Sequence, residues 1–564
     1  MQNLKAEKAK GTFAKIIVIM NTTNQVACDF EDEYGVDALL YTGSTGTAGT
    51  KAVGRILTGA VNPSGRLSDT FWKDHYLNPV HANWGPRAFN GSNATRYLGF
   101  GYTNDGTPAV VYQESIYSGY RYTETRYEDV VLGADKAGAY DYNAAVAYPF
   151  GHGLSYSDFG YSDLTSSYNE ETDSYDVSVT VKNNGTAAGR EAVQLFLQKP
   201  YTAYDRTHIV EKAAVELVDF AKTGLLAAGD AETVSMSVPK RYFASYDSYN
   251  EKTYILEAGD YYLAAGKDAH DALNNILADK AANGVSLDAA KMVDEKGAAA
   301  VGNKAFTARI TLDDTSFKAY ATSSPTGKAI TNRFDNADLK IYANAGEKNK
   351  NAFDYVTRNN WEGIVKLAFD ANGKFLDNNV KIRLTEAMEA DMNKGVEKEE
   401  CEMPTMGSGI TSWQLIDLLA DEEGNPIPFN DKKWEQLLDQ LTWDEMEYLL
   451  SNGYSTTRAL TSISKPKTYD QDSDLGVILT YNADGNGLAS KLADPDKGET
   501  PAAYPDNGIV AATRDKALMF EYGVQWGEDC LWAGYTGLYG AGCNTHRSVL
   551  ISAVLTAITA KTPC

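Results

Sequence analysis

The apolar runs Ile16-Ile17-Val18-Ile19-Met20 and Asp37-Ala38-Leu39-Leu40-Tyr41 decide the fold class of the first part of the chain. Short, continuous apolar runs are typical of strands buried on both faces of a parallel sheet. Helical spacing over residues 2–15 and around residues 52–57 places a helix before the first run and after the second. We therefore predict an α/β domain. Since only two clear strands occur, we interpret residues 1–160 as its C-terminal part.

The pattern changes to strict alternation near residue 161. Tyr175, Val177, Val179 and Val181 share one face of a predicted strand, and an Asn-Asn-Gly turn follows at 183–185. Residues 112–122 are rich in tyrosine and are predicted to be extended. Short strands in series without a long helix indicate an antiparallel β-sandwich over 161–268; the further strands are predicted at 192–197, 214–220, 233–238, 253–256 and 261–265.

The remainder of the chain has mixed patterns. Residues 269–425 are interpreted as a connector, with a helix over 271–296, strands at 306–312 and 364–369, and an acidic stretch at 394–402. Helical spacing begins at Lys432, and Thr442 is placed as the N-cap of a second helix over 443–450. Another helix is predicted over 511–532. The fold class is therefore multidomain, α/β plus all-β.

Composition excludes several function classes. The chain has 564 residues and a net charge of 52 − 76 = −24, which argues against nucleic acid or an anionic membrane as a partner. No run of about 18 apolar residues predicts a membrane span. Five scattered cysteines give neither a disulfide framework nor a zinc motif, and Cys543 with His546 supplies only two ligands. We expect no metal and no cofactor.

A glycine-rich turn, residues 43–51, lies between a predicted strand and a helix. It is similar to a phosphate cradle, but a P-loop needs Gly-Lys-Ser/Thr, and here the order is Gly49-Thr50-Lys51. A turn of small residues that lets the helix pack closely on the sheet is therefore favoured over a nucleotide site.

Three longer segments carry a specific resemblance. They are Val61-Asn-Pro-Ser-Gly-Arg-Leu67, the tyrosine-rich stretch from Tyr112 to Tyr122, and Tyr148-Pro-Phe-Gly-His-Gly-Leu-Ser-Tyr156. Together, in this order, they resemble glycoside hydrolase family 3, which includes β-glucosidases and β-xylosidases. The strands of 161–268 then match that family's fibronectin type III-like domain, including Val193-Gln194-Leu195. The resemblance implies a partial α/β sandwich followed by a fibronectin type III-like β-sandwich.

Residues 426–564 resemble the first part of that family's (β/α)8 barrel. Residues 434–446 match its opening helix, residues 504–528 its next βα unit, and residues 540–547 its Asn-x-His-Arg strand end. The order sandwich, fibronectin-like domain, barrel is the one found in a permuted subgroup. The family's Asp-Gly-Pro-x-Gly places a sugar-binding aspartate at the barrel mouth, and Asp472-Ser-Asp-Leu-Gly476 lies at that place. Asp472 is therefore the candidate substrate-binding residue, with an acidic surface loop as the alternative.

The resemblance implies retaining hydrolysis of β-glycosides by a carboxylate nucleophile and a carboxylic acid, about 5–5.5 Å apart. The family's nucleophile is the aspartate of a Ser-Asp-Trp-like motif, which this sequence lacks; its nearest string is Asn359-Asn360-Trp361. The family's Lys-His pair is absent, and its acid/base glutamate would lie upstream of residue 1. We therefore name no catalytic residue and expect the chain alone to be inactive.

The resemblance implies substrates of one class, β-linked oligosaccharides or aryl and alkyl β-glycosides. We expect both ends of the chain to be truncated, with a shifted reading frame after about residue 548. The N-terminal residues have no apolar leader, which favours a cytoplasmic location. The alternative function is a non-catalytic carbohydrate-binding or adhesion module, in which some of the 36 tyrosines would stack on sugars.

Overall fold

A computed structural model describes residues 1–80, 112–335, 338, 355–361, 412–451, 457–468, 470–472, 475–477 and 502–539. Its α-helices are α1 (Gln2–Ala9), α2 (Glu31–Tyr34), α3 (Thr50–Leu57), α4 (Tyr120–Val131), α5 (Tyr142–Ala145), α6 (Ala203–His208), α7 (Ala269–Ala282), α8 (Lys432–Leu438), α9 (Trp443–Ser451), α10 (Asn507–Ala512) and α11 (Lys516–Ala533). Three parts of the sequence discussed above lie outside the described residues: the strand predicted at 364–369, the acidic stretch at 394–402 and the segment 540–564.

The strands in chain order are β1 (Ile17–Met20), β2 (Ala38–Tyr41), β3 (Phe71–Trp72), β4 (Val146–Tyr148), β5 (Phe159–Asn169), β6 (Ser174–Asn183), β7 (Ala192–Gln198), β8 (Glu216–Lys222), β9 (Ala231–Pro239), β10 (Ser245–Asp247), β11 (Thr253–Ile255), β12 (Gly259–Gly266), β13 (Thr307–Leu312), β14 (Asp470–Asp472) and β15 (Gly537–Tyr539). The described residues form two compact units. The first contains those of Met1–Lys394 and Pro505–Lys516, and the second those of Gly395–Tyr504 and Ala517–Gly542.

The predicted β-sandwich is confirmed in the first unit. Strands β5, β6 and β9 form an antiparallel sheet, and β13, β12, β7 and β8 form a second antiparallel sheet in that order. The predicted inward face of β6 is buried, from Tyr175 at 8% exposed to Val179 and Val181 at 0%. It packs against Leu195 and Leu197 of the facing sheet. Strand β13 comes from the predicted connector, so the sheet continues past residue 268.

A second core lies on the other face of the four-stranded sheet. Helices α4 and α7 cover it there, with Tyr127, Phe196, Tyr262 and Leu273 among the buried side chains. Helix α7 is N-capped by Asp268, whose carboxylate accepts from Asp271 N at 2.8 Å. The sheet is thus apolar on both faces, which explains why every residue of β7 is buried.

The parallel pair β1–β2 is confirmed, with Ile17 opposite Ala38. The prediction that β1 is buried on both faces is wrong, because Ile17 and Ile19 are 47% and 45% exposed. Among the described residues this sheet has only two strands, so one face of β1 lacks cover.

Several predicted helix boundaries are also wrong. The first helix ends at Ala9 rather than 15, followed by Gly11 with φ +78°. Residues 112–122 are not an extended strand, because α4 begins at Tyr120. The helix predicted over 271–296 ends at Ala282, and the one predicted over 511–532 is divided between α10 and α11, with Arg514 at φ +49° between them.

Candidate functional site

The glycine-rich turn receives a side chain from a distant part of the first unit. Ser44 N donates to Asp506 Oδ2 at 2.5 Å, and Asp506 N donates back to Ser44 O at 3.0 Å. Asp506 also caps α10 by accepting from Ile509 N at 3.1 Å. The N–H of Ser44 in this turn therefore binds a carboxylate of the protein itself.

Gly43 allows this close approach. Its φ is +51°, and a Cβ at this position would overlap Asp506 Oδ2 and the Ile509 side chain. We expect Gly43→Ala to cost about 1–3 kcal/mol of unfolding free energy more than Gly59→Ala. Gly59 is the matched control, because its φ is +74° but nothing lies within 4 Å of its Cβ position. Urea denaturation of the two variants measures the difference, and equal losses would contradict the role of the contact.

The arginine of the first motif segment forms a buried ion pair with the fibronectin-like domain. Arg66 Nη2 lies 2.5 Å from Glu191 Oε2, with side chains 5% and 2% exposed. Arg66 Nη1 donates to Gly153 O of the third motif segment, and Tyr161 OH donates to Glu191 Oε1 at 2.7 Å. One guanidinium thus connects two motif segments to the β-sandwich.

Asn62 joins the same segments through its amide. Its Oδ1 accepts from Ser155 Oγ at 2.9 Å and from Tyr156 N at 2.7 Å, while its Nδ2 donates to Ala188 O at 3.1 Å. Both polar ends of the side chain are therefore satisfied by loops rather than directed toward a ligand. This is a structural role.

Gln194, in the matched strand of the fibronectin-like domain, is completely buried. Its Nε2 donates to Gly151 O at 3.0 Å and Lys267 O at 2.8 Å, and its Oε1 accepts from Arg514 Nε at 3.3 Å. The Arg514 guanidinium also lies 4.9 Å from the Phe150 ring centroid. The motifs that carry the family resemblance thus meet at one junction inside the first unit.

His152 of the third motif segment is a poor candidate for proton transfer. Burial, followed by the nearby charges of Arg66 and Lys296, lowers its pKa to about 4. Its ring lies 5.1 Å from that of Tyr148. The imidazole is therefore neutral at pH 7 and packs as an aromatic ring.

Asp472, the predicted substrate-binding residue, lies in the second unit at the carboxyl end of β14. Strand β14 pairs in parallel with β15, so that Asp472 is opposite Tyr539. In α/β barrels the catalytic and binding residues lie at this end of the strands. The substrate-binding role of Asp472 stays a prediction.

The chain beyond Asp472 returns to helix α11. Tyr504 N donates to Leu475 O at 2.8 Å, and Tyr504 OH donates to Asp529 Oδ2 at 2.7 Å. Gly476 has φ +108°, and a side chain there would overlap Ala502 O. The glycine of the matched Asp-x-x-x-Gly string is therefore required by the backbone.

The predicted N-cap at Thr442 is confirmed as a reciprocal capping box. Thr442 N donates to Glu445 Oε2 at 2.9 Å, and Glu445 N donates to Thr442 Oγ1 at 3.3 Å. Burial alone would raise the pKa of Glu445, but hydrogen bonds from Thr442 and Ser462 outweigh it and lower the pKa to about 2. The Glu445 carboxylate therefore has a structural role.

Sequence reasoning missed the buried charged groups of the first unit, among them a histidine–glutamate pair and a lysine with two carboxylates. His270 Nδ1 lies 2.7 Å from Glu124 Oε2, and Lys212 Nζ pairs with Asp205 and Glu257. All five side chains are 7% exposed or less. In the part of the chain that the structure describes, no three His, Cys, Asp or Glu side chains are arranged to hold a metal ion. Cys543 and His546 lie outside that part.

Comparison with known proteins defines the class of these domains. Residues 2–156 match the glycosyl hydrolase family 3 C-terminal domain, and residues 191–269 match the fibronectin type III-like domain. A family 3 C-terminal domain is thus followed by a fibronectin type III-like domain, in the order that the motifs predict. No described helix has the length and apolar composition that a membrane span requires.

Relatives of the chain include β-glucosidases. A beta-glucosidase of Ruminococcus albus is 30% identical over 292 residues, which are 51% of this chain and 25% of the relative. Beta-glucosidase A of Butyrivibrio fibrisolvens is 25% identical over 96% of this chain and 55% of its own length. A solved beta-glucosidase from Paenibacillus barengoltzii shares the fold with a TM-score of 0.56 at 21% identity, over 98% of this chain and 49% of that one. The chain spans about half, or less, of the length of these relatives.

Proposed function

We propose that this chain is part of a β-glucosidase-type glycoside hydrolase, which acts on β-linked oligosaccharides or on aryl and alkyl β-glycosides. The observation that carries the proposal is the pair of family 3 domains at 2–156 and 191–269, joined by the Arg66–Glu191 ion pair. The alignment with beta-glucosidase A of Butyrivibrio fibrisolvens over 96% of the chain supports the same assignment for the remainder.

In this proposal the carboxylate of Asp472 binds the sugar. A carboxylate at the carboxyl end of a barrel strand accepts hydrogen bonds from glycosyl hydroxyl groups and fixes the sugar beside the reacting carbon. Retaining hydrolysis also needs a nucleophile and an acid/base, both carboxyl groups. The sequence motifs that supply them in family 3 are absent from these 564 residues.

We therefore expect the purified chain to release no nitrophenol from p-nitrophenyl β-D-glucoside. The measurement is the absorbance of released nitrophenol across the fractions of a final gel-filtration step, with the buffer as control. Turnover that follows the protein peak would contradict the missing-residue argument.

The glycosidase assignment itself is tested on the whole gene that contains this chain, expressed with one continuous reading frame through codon 548. We expect its product to hydrolyse the same substrate, and Asp472→Asn to lower kcat/KM by about 100-fold, since a hydrogen bond between charged and hydroxyl groups in a binding site stabilises by roughly 1.5–3 kcal/mol. Asp470→Asn, two residues earlier on β14, is the matched control. An active product unaffected by Asp472→Asn would remove that residue from the site, and an inactive product would contradict the proposed function.

A further inference from the structure

A seven-residue segment of the predicted connector, residues 355–361, lies against helix α4 of the first unit. Val356 is completely buried, and its N–H donates to Gln113 O at 2.7 Å. Thr357 and Asn360 exchange backbone hydrogen bonds at 3.0 and 2.9 Å, which closes a tight turn. The turn brings Arg358 and Trp361 to the same surface of α4.

Arg358 enters a pocket lined with carboxylates. Its Nε donates to Asp129 Oδ1 at 2.9 Å, and its Nη2 donates to Glu128 Oε2 at 3.1 Å and also to Asp129 Oδ1. The Arg358 side chain is 8% exposed and the two carboxylates are each 2% exposed. The guanidinium also lies 4.5 Å from the Tyr201 ring centroid. Such a planar, multiply bonded contact favours arginine over lysine.

Trp361 occupies an adjoining aromatic box. Its Nε1 donates to Asp129 Oδ2 at 3.0 Å, so that one carboxylate binds both residues. Its ring meets those of Tyr117 and Tyr122 edge-on, at 4.9 and 5.7 Å. The Arg126 guanidinium lies 5.4 Å from the indole.

The charge of this pocket requires a cation from the segment. Glu128, Asp129 and Glu211 approach Arg358, and Glu211 Oε2 accepts from Arg358 N at 2.9 Å. On the protein side, Lys280 Nζ pairs with Glu128 at 2.7 Å. Without Arg358, the described groups would leave more buried carboxylates than cations, which is costly in a low-dielectric environment.

We propose that this surface of α4 is a peptide-recognition site for an Arg-x-x-Trp turn, and that residues 355–361 of the same chain occupy it. The contact attaches the connector to the family 3 C-terminal domain at a fixed point. The tyrosine-rich motif of residues 112–122 forms part of this site, because its Tyr117 and Tyr122 rings contact the Trp361 ring. This site is independent of any glycosidase chemistry.

The test is competition by a peptide of residues 353–363 on the full chain. In the double variant Arg358→Ala, Trp361→Ala we expect backbone amides of 355–361 to lose their protection from hydrogen exchange, and the added peptide to bind and to raise the thermal midpoint. Peptides with either substitution should bind about 30-fold more weakly or worse. The unaltered chain should bind no peptide, because its own segment fills the site.

Asn359→Ala is the matched control, because Asn359 is exposed at the tip of the turn, and this variant should retain full protection. If the double variant does not fold by itself, the peptide should restore folding. Unchanged protection in the double variant, or no difference among the three peptides, would overturn the proposal. A dimer that dissociates when peptide is added would overturn occupation by the same chain.

Discussion

Arg66→Ala is expected to lower the free energy of unfolding of the first unit by about 3–5 kcal/mol, the cost typical of removing one partner of a buried ion pair. The Arg66 guanidinium lies 2.5 Å from Glu191, and both side chains are almost fully buried. Without it, the Glu191 carboxylate keeps the hydrogen bond from Tyr161 but loses its counter-charge. The measurement is urea denaturation followed by circular dichroism.

Arg190 is the matched control, since it is the neighbour of Glu191, is exposed, and donates only to Thr223 O among its described bonds, at 3.2 Å. Arg190→Ala should change stability by about 0.5 kcal/mol or less. The double variant Arg66→Met, Glu191→Leu should recover most of the loss, because it removes both buried charges together. If Arg66→Ala is as stable as Arg190→Ala, the ion pair does not hold the motif segments together.

The parts of the fold that sequence predicted correctly have a local signal. Alternation along β6 predicted its buried face, and the runs at 16–20 and 37–41 predicted a parallel pair. Helix α4 has no such signal. It is buried on nearly all sides, and the buried positions include polar residues such as Glu124 and Asp129, so they do not form an apolar stripe that the sequence would reveal. The tyrosines at its start then suggested a strand.

The buried charges could not be predicted for a different reason. Charged residues such as Glu124 and Asp129 are expected at the surface unless a partner is known. Their partners lie far away along the chain: His270 is 146 positions from Glu124, and Arg358 is 229 positions from Asp129. The resemblance to the family's Asp-Gly-Pro-x-Gly string marks Asp472, whereas a long-range ion pair has no local motif that could mark it.

A buried histidine makes the stability of the first unit depend on pH. His270 Nδ1 lies 2.7 Å from Glu124 Oε2, and its Nε2 lies 2.8 Å from Val293 O. A carbonyl and an ionised carboxylate both accept hydrogen bonds, so these two contacts suit an imidazolium with a proton on each ring nitrogen. The Tyr142 ring stacks on the imidazole at 3.9 Å, and its hydroxyl donates to Glu124 Oε1 at 2.7 Å.

The direction of the pH effect follows from the pKa of His270. Burial lowers this pKa, but the charge and hydrogen bond of Glu124, together with Asp268 and the Val293 carbonyl, raise it above its ordinary value. The proton then binds the folded state more tightly. The stabilisation of the fold by this proton is complete below the pKa of His270 in the unfolded chain, about 6.5, and is lost as pH rises through the pKa of His270 in the folded chain. The neighbouring Tyr127 and Tyr142 have raised pKa values and stay neutral in this range.

His270→Ala should therefore cost about 3–5 kcal/mol at pH 6, and the cost should shrink as pH rises above the folded pKa. Burial raises the pKa of Asp268 to about 7, so ionisation of Asp268 also lowers the stability of the first unit as pH rises. The measurement is therefore the difference in unfolding free energy between the unaltered chain and the His270→Ala variant at each pH. Urea midpoints at pH 6, 7, 8 and 9, with hydrogen exchange of α4 and α7, measure that difference. His208→Ala, at a half-buried ring whose centroid lies 4.4 Å from that of Tyr204, should lose about 1 kcal/mol or less. A cost for His270→Ala that is equal at pH 6 and pH 9 would mean that the pair is neutral when folded.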